Sequence, residues 1–134
     1  FYEVDWVEGS FSIIKKNIWN KINGFNEDYF MYGEDLDLCK KVKDKGFKII
    51  YFPFVQYIHY GGYDSTRMQY IFEGLLNFHK THSCYFKYLL AKYFLCLGAV
   101  FRYFLFMIIG KILKSDEKIK KAQSCKNFIF EHKK

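Results

Sequence analysis

Two neighbouring carboxylates, Glu34 and Asp35, stand where a run of glycines, aromatics and acids gives way to a helical pattern. The run is Gly24-Phe25-Asn26-Glu27-Asp28-Tyr29-Phe30-Met31-Tyr32-Gly33. Asp35, Leu38, Cys39 and Val42 recur at i, i+3, i+4 and i+7, so Asp35 shares the face that turns toward the protein body. It also falls in the first turn, where the positive end of the helix dipole suits a negative charge. An inward carboxylate at a loop–helix junction is suited to taking a proton from a hydroxyl. From position alone, a helix cap or a partner for lysine is the readier reading of the same residue.

Two further signals flank this one. His59 closes Tyr57-Ile58-His59-Tyr60 just before Gly61-Gly62; a lone histidine at a strand end ordinarily serves as a surface or hydrogen-bonded residue. Upstream, Asp5-Trp6-Val7-Glu8-Gly9-Ser10 offers Trp6, either a stacking surface or a core tryptophan, and Gly9, which permits close backbone approach. A calcium loop starting at Asn26 fails, because it puts Phe30 at the fifth position and Met31 where glycine is required. Cys39, Cys84, Cys96 and Cys125 form no C-x-x-C pair and no disulfide framework, so zinc is not indicated and a reducing compartment is the simpler expectation. Cys39 belongs to the core stripe. His79, His82 and His132 make no ligand constellation.

The elements that must position these groups read as follows. Val4 to Ile14 is expected to be a strand, a tight glycine passage and a second strand. Asn17 to Ile22 is a short helix with Asn17 as N-cap and Gly24 as its stop. Asn26 to Gly33 is a loop, and Glu34 to Lys45 is a helix closed by Gly46. On that helix Asp37 with Lys41, and Lys40 with Asp44, are expected as ion pairs on the wetter sides. Lys48 to Phe52 and Val55 to Tyr60 read as short strands around Pro53.

Ser65 to Ser83 reads as a helix capped by Asp64 or Ser65. From Cys84 to Leu113 the composition turns to Phe, Leu, Tyr and Ile, interrupted by Lys87, Lys92 and Arg102. Its uncharged runs, Tyr93 to Phe101 and Tyr103 to Gly110, fall short of the ~20 apolar residues of a membrane span. Helices lying in a membrane interface, or packed on a partner, are therefore expected there. Lys114 to Lys134 reads as a charged, frayed helix.

The chain has 134 residues, enough for one ordinary domain, and its aromatic share of 22% supplies ample core material. The formal charge of +7 admits nucleic acid, anionic lipid or phosphorylated substrates as partners. The basic residues are dispersed and no nucleic-acid motif accompanies them, so nucleic acid is not the expected partner. The chain begins with Phe1 and shows no signal peptide; its start reads as an excision point or truncation.

In order and spacing, Asp5-Trp6-Val7-Glu8-Gly9-Ser10, Gly24-Phe25, Gly33-Glu34-Asp35 and His59 together resemble the second half of the catalytic domain of an inverting family 2 nucleotide-sugar glycosyltransferase, of the rhamnosyltransferase-like kind. The resemblance covers roughly Val4 to Gly62. It implies an α/β fold, a partial GT-A domain over residues 1–63. A helical C-terminal region follows over 64–134, with an aromatic, interfacial segment at 84–113. It implies Asp35 as the catalytic base on an acceptor hydroxyl. Glu34, Trp6, Gly9, Phe25 and Tyr32 would contact the acceptor, although Glu8 stands where such proteins more often have a small residue. It also implies His59 as one ligand of a divalent metal, Mg or Mn, whose carboxylate ligands come from a D-x-D motif. The only such triplet here is Asp35-Leu36-Asp37, on the helix itself, so the donor-binding half and the main metal site are expected to lie outside this chain.

The function implied is transfer of a sugar, with inversion, from a nucleotide-sugar donor to a glycan or lipid-linked acceptor in cell-surface polysaccharide synthesis. The place implied is the cytoplasm, peripheral to the inner face of the cell membrane. Without the nucleotide-binding half this stretch is expected to be inactive alone. The competing expectation is a non-catalytic, membrane-associated or protein-binding remnant of the same fold.

Overall fold

The computed structural model describes residues 1–61 and 67–132. The chain divides into two compact units, Phe1–Gly61 and Gly62–Lys134.

In the first unit, strand β1 (Tyr2–Val4) pairs antiparallel with β2 (Ile49–Tyr51), Tyr2 opposite Tyr51 and Val4 opposite Ile49. Helices α1 (Lys16–Ile22) and α2 (Glu34–Asp44) lie between them in sequence. Ile22, Leu38, Cys39, Val42 and Ile49 form the core, with Val7, Ile14, Ile18 and Trp19 packed against it. The sheet is smaller than the sequence suggests: Asp5 to Ile14 and Val55 to Tyr60 are not strands. β-compatible side chains do not suffice for a strand. A ladder partner is also needed, and among the described residues these segments have none.

Helix α2 forms where its sequence favours it. Glu34, Asp35 and Asp37 occupy its first turn and Lys41 and Lys43 its last, both matched to the helix dipole. Gly33 enters it at φ 89° and Gly46 leaves it at φ 77°; the Phe47 amide reaches back 3.2 Å to the Val42 carbonyl, closing the last turn. Helix α1 begins after Lys15, so Asn17 lies inside the first turn rather than at the cap; its Oδ1 accepts the Ile18 amide at 2.9 Å. Asn23 and Gly24, both left-handed, stop it, and both amides turn back to the Trp19 carbonyl.

The second unit is helical: α3 (Arg67–His82), α4 (Tyr85–Ile112) and α5 (Asp116–Glu131). The caps expected at Asp64 or Ser65 lie outside the described residues. Phe72, Leu76, Ala99, Cys125 and Phe128 are its core. Helix α4 is one continuous helix of 28 residues, long and apolar enough by length and composition to cross a membrane. Lys92 and Arg102 interrupt the hydropathy but not the backbone, since both are good helix formers. Helix α5 is not frayed. Ser115 caps it, accepting the Lys118 amide, and Ala122, Cys125 and Phe128 are fully buried. The described chain is thus mostly helical, with one two-stranded sheet.

Candidate acceptor-side site

Helix α2 lies along the stretch that follows β1 and runs antiparallel to it. Lys43 is paired with Asp5, the Cys39 thiol faces the Val7 carbonyl at 3.9 Å, and the Asp35 carboxylate accepts the Gly9 amide at 3.2 Å. The arithmetic explains the regularity. Four residues of helix rise about 6 Å and two of extended chain about 6.6 Å, so each helical step of four meets a chain step of two.

Asp35 therefore stands where the sequence places it, half-buried in the first turn of α2. Its Oδ2 takes the Gly9 amide and its Oδ1 the Leu36 amide at 2.8 Å. An ionised carboxylate has about four lone-pair positions, so two remain for an incoming hydroxyl. A methyl at Gly9 would sit 3.3 Å from the Asp35 Cβ, so the approach is close but not forbidding. The sequence names Asp35 and Gly9 as separate candidates; the fold makes them one unit.

Glu34 is half-buried, and its Oε2 is closed off from solvent without a hydrogen-bond partner. Tyr32 precedes it at φ 64°, a left-handed conformation unusual for a side chain of that size. Together with Gly33 it turns the loop sharply into α2. Phe25 stands edge-on to Trp19, with ring centroids 5.5 Å apart, and keeps 43% of its surface exposed. Trp6 is 49% exposed, so it is a surface ring and not a core tryptophan.

His59 belongs to a different cluster. Ser10 is hydrogen-bonded to the Tyr57 hydroxyl, Phe11 stacks on the Tyr57 ring at 5.3 Å, and the His59 ring lies 6.5 Å beyond it. Among the described residues no three of His, Cys, Asp and Glu gather into a group that could hold a metal ion.

Sequence reasoning misses Asp37. It was expected on a wet side of α2, yet it is 0% exposed. Lys41 sits 3.4 Å from its Oδ2 and donates at 2.7 Å to the Gly24 carbonyl. The pair thus ties the start of the Gly24–Gly33 loop to the helix that bears Asp35. Helical periodicity cannot reveal this, because it describes the helix alone. The i,i+4 spacing of Asp37 and Lys41 was the available signal.

Two titrations follow the geometry. Burial pushes the Cys39 thiol up; the Val7 carbonyl opposes this and the Asp35 charge adds to it, so Cys39 stays a packing thiol. The Lys43 hydrogen bond draws the exposed Asp5 carboxyl below its usual value.

The family described as the N-terminal domain of galactosyltransferase matches residues 2–69. The chain belongs to this glycosyltransferase family. The matched range holds every candidate residue, from Trp6 to His59, and ends in the first turn of α3. Among curated proteins, the chain is similar to the Rhamnosyltransferase WbbL of Escherichia coli (strain K12), with 40% identity over 62 residues, 46% of this chain and 24% of WbbL. It is 31% identical over 64 residues to the N-acetylglucosaminyl-diphospho-decaprenol L-rhamnosyltransferase of Mycobacterium tuberculosis, covering 48% of this chain and 21% of that protein. The Low-salt glycan biosynthesis hexosyltransferase Agl10 of Haloferax volcanii is 29% identical over 75 residues, 56% of this chain and 24% of Agl10. The chain thus spans about a quarter of the length of these relatives. No solved structure matches it. The rhamnosyltransferase-like glycosyltransferase character expected from the sequence is borne out.

Proposed function

We propose that this chain is the acceptor-side part of an inverting, GT-A type glycosyltransferase, and that Asp35 is its catalytic base. The observation that carries the reading is the anchoring of the Asp35 carboxylate on the Gly9 amide at the mouth of α2. The Asp35 carboxylate takes the proton of an acceptor hydroxyl. The freed oxygen forms a bond to the anomeric carbon of the donor, and the bond from that carbon to the nucleoside diphosphate breaks. A single in-line displacement inverts the anomeric centre. The diphosphate leaves as a stabilised anion, so a second, protonating carboxyl is not required, in contrast to most glycoside hydrolysis.

Glu34, Trp6, Phe25 and Tyr32 line the acceptor side in this reading. Aromatic faces as exposed as those of Trp6 and Phe25 suit the apolar faces of sugar rings. The acceptor class is a glycan or lipid-linked glycan in cell-surface polysaccharide synthesis. The Mycobacterium tuberculosis relative, whose name specifies a decaprenol-linked acceptor, supports it. The place of reaction is the cytoplasmic side of the membrane, where such carriers are exposed.

The donor is a nucleotide-sugar held by residues outside this chain. Asp35-Leu36-Asp37 does not serve as its D-x-D, because Asp37 is buried and bound to Lys41. The described residues do not fit a divalent Mg or Mn site by themselves. His59 would supply one ligand at most, and no step above runs through a metal.

The deciding experiment measures sugar transfer in extracts of cells producing the protein, with nucleoside-diphosphate rhamnose and galactose as parallel donors. Asp35→Asn keeps the side-chain shape and one acceptor oxygen, so it can hold only one of the two backbone amides, and it cannot take the proton. A rate lower by 10²–10⁴-fold at unchanged protein level is expected. Transfer equal to wild type would remove Asp35 as base and leave the non-catalytic reading.

A further inference from the structure

Helix α4 carries an uninterrupted apolar face that none of the described residues of its own unit covers. Leu90, Phe94, Leu97, Phe101, Leu105 and Ile108 follow the i, i+4, i+7 rhythm and are exposed, Phe101 by 67%. The opposite side is the packed one: Ala99 and Gly110 are buried there, and Leu95, Cys96, Tyr103 and Phe106 pack on the core. The two cations within the apolar stretch avoid the open face. Lys92 is half-buried on the packed side, while the Arg102 guanidinium lies over the Phe72 ring at 5.6 Å and reaches the Gly98 carbonyl. Lys87 and Lys111 frame the open face at its two ends.

Helix α5 decides how such a face can meet lipid. It returns antiparallel along α4, with Ile119 against Gly110, Lys118 over Phe106, and Cys125 near Arg102. Seven of its sixteen residues are charged. A spanning α4 would drag that charged helix into the acyl region, where ionised groups are disfavoured. Lying flat, α4 keeps α5 on the water side and its own apolar face on the lipid side.

Charge selects the occupant. Residues 62–134 hold thirteen lysines and arginines against five acids, whereas residues 1–61 hold eight against nine. The whole positive excess thus resides in the unit that bears the open face. A second copy of so basic a unit would be repelled, and an anionic headgroup layer would be attracted. We propose that α4 is an in-plane membrane helix, with its Leu90–Ile108 face in the upper acyl region of an anionic bilayer. The inference stands apart from the transferase reading, since it uses no residue of the Asp35 site.

The test uses the whole protein and vesicles of phosphatidylcholine with or without phosphatidylglycerol. Flotation with the anionic vesicles, reduced at least tenfold in neutral vesicles or in Leu97→Glu/Phe101→Glu, is expected. Helix content by circular dichroism should be unchanged in that variant, whose two positions are exposed. Tryptophan placed at Leu90, Phe101 or Ile108 should be quenched by brominated lipid at one shared, shallow depth. A deep Phe101 position between shallow ends would mean a span and overturn the in-plane reading. Failure to float, with a dimer by light scattering that Leu97→Glu dissolves, would give the face to a second copy and overturn the proposal. Loss of sugar transfer in Asp35→Asn leaves all of these readouts unmoved.

Discussion

The amide of Gly9 and the carboxylate of Asp35, twenty-six positions apart, meet at 3.2 Å. The contact is the last rung of a ladder that begins with Asp5 and Lys43 and passes through Val7 and Cys39. Each rung fixes the rotation of α2 against the chain after β1. The position of the Asp35 carboxylate is therefore set by the registry of a whole helix and not by one hydrogen bond.

That registry predicts a graded response at Gly9. A methyl there must shift Asp35 by a few tenths of an ångström, because its Cβ would stand 3.3 Å from the Asp35 Cβ. Gly9→Ala is expected to lower kcat for sugar transfer about tenfold, and Gly9→Val about a hundredfold, with little change in thermal stability. A loss confined to KM, or none, would mean that Gly9 does not set the Asp35 geometry.

The loop before α2 should prove fragile at two points. Gly24 has φ 62°, and a methyl on it would stand 2.7 Å from the Trp19 ring; Gly24→Ala combines backbone strain with overpacking, about 2–3 kcal/mol. Asp37→Ala leaves Lys41 without its buried partner and costs about 2–3 kcal/mol, less than a fully buried pair because the Lys41 side chain is 24% exposed. Urea unfolding should show the double variant to be less destabilised than the sum, since both changes loosen one loop.

Much of the site was legible because its signals are local. The Gly24–Gly33 loop, the helix after it and its Leu38, Cys39 and Val42 stripe all follow from spacing, and all are present. What spacing could not show was set by distant chain. Asp37 is buried by packing that the helix pattern does not encode. Asp5 to Ile14 looked like strand but has no ladder partner among the described residues. Lys92 and Arg102 broke the apolar run on paper, yet they turn to the packed side of α4, so its open face stays uncharged. The tail after Lys114 looked too charged to pack, although Ala122, Cys125 and Phe128, at i, i+3 and i+6, form a narrow buried stripe.

The second unit should lose stability as the solution is brought from mildly acidic to neutral. Burial pushes the Glu73 carboxyl above its ordinary value of 4.5, and the Glu131 carboxyl beside it pushes the same way, against Gln69 and His132. Gln69 in turn donates to both Glu131 oxygens, at 3.1 and 3.0 Å, which holds α3 to α5. The folded chain therefore binds the Glu73 proton more tightly than the unfolded chain does. Its contribution is complete below 4.5 and is lost as pH rises through the higher folded value. The lowered carboxyls of Asp5 and Glu117 act in the opposite sense, but below their ordinary values of 3.8 and 4.5, so the windows do not overlap. Urea midpoints should fall between pH 5 and pH 7 in the wild type. In Glu73→Gln, which keeps the shape without the charge, they should stay level and lie higher at pH 7. A wild-type midpoint that rises over this interval would show that Glu73 does not govern the α3–α5 contact.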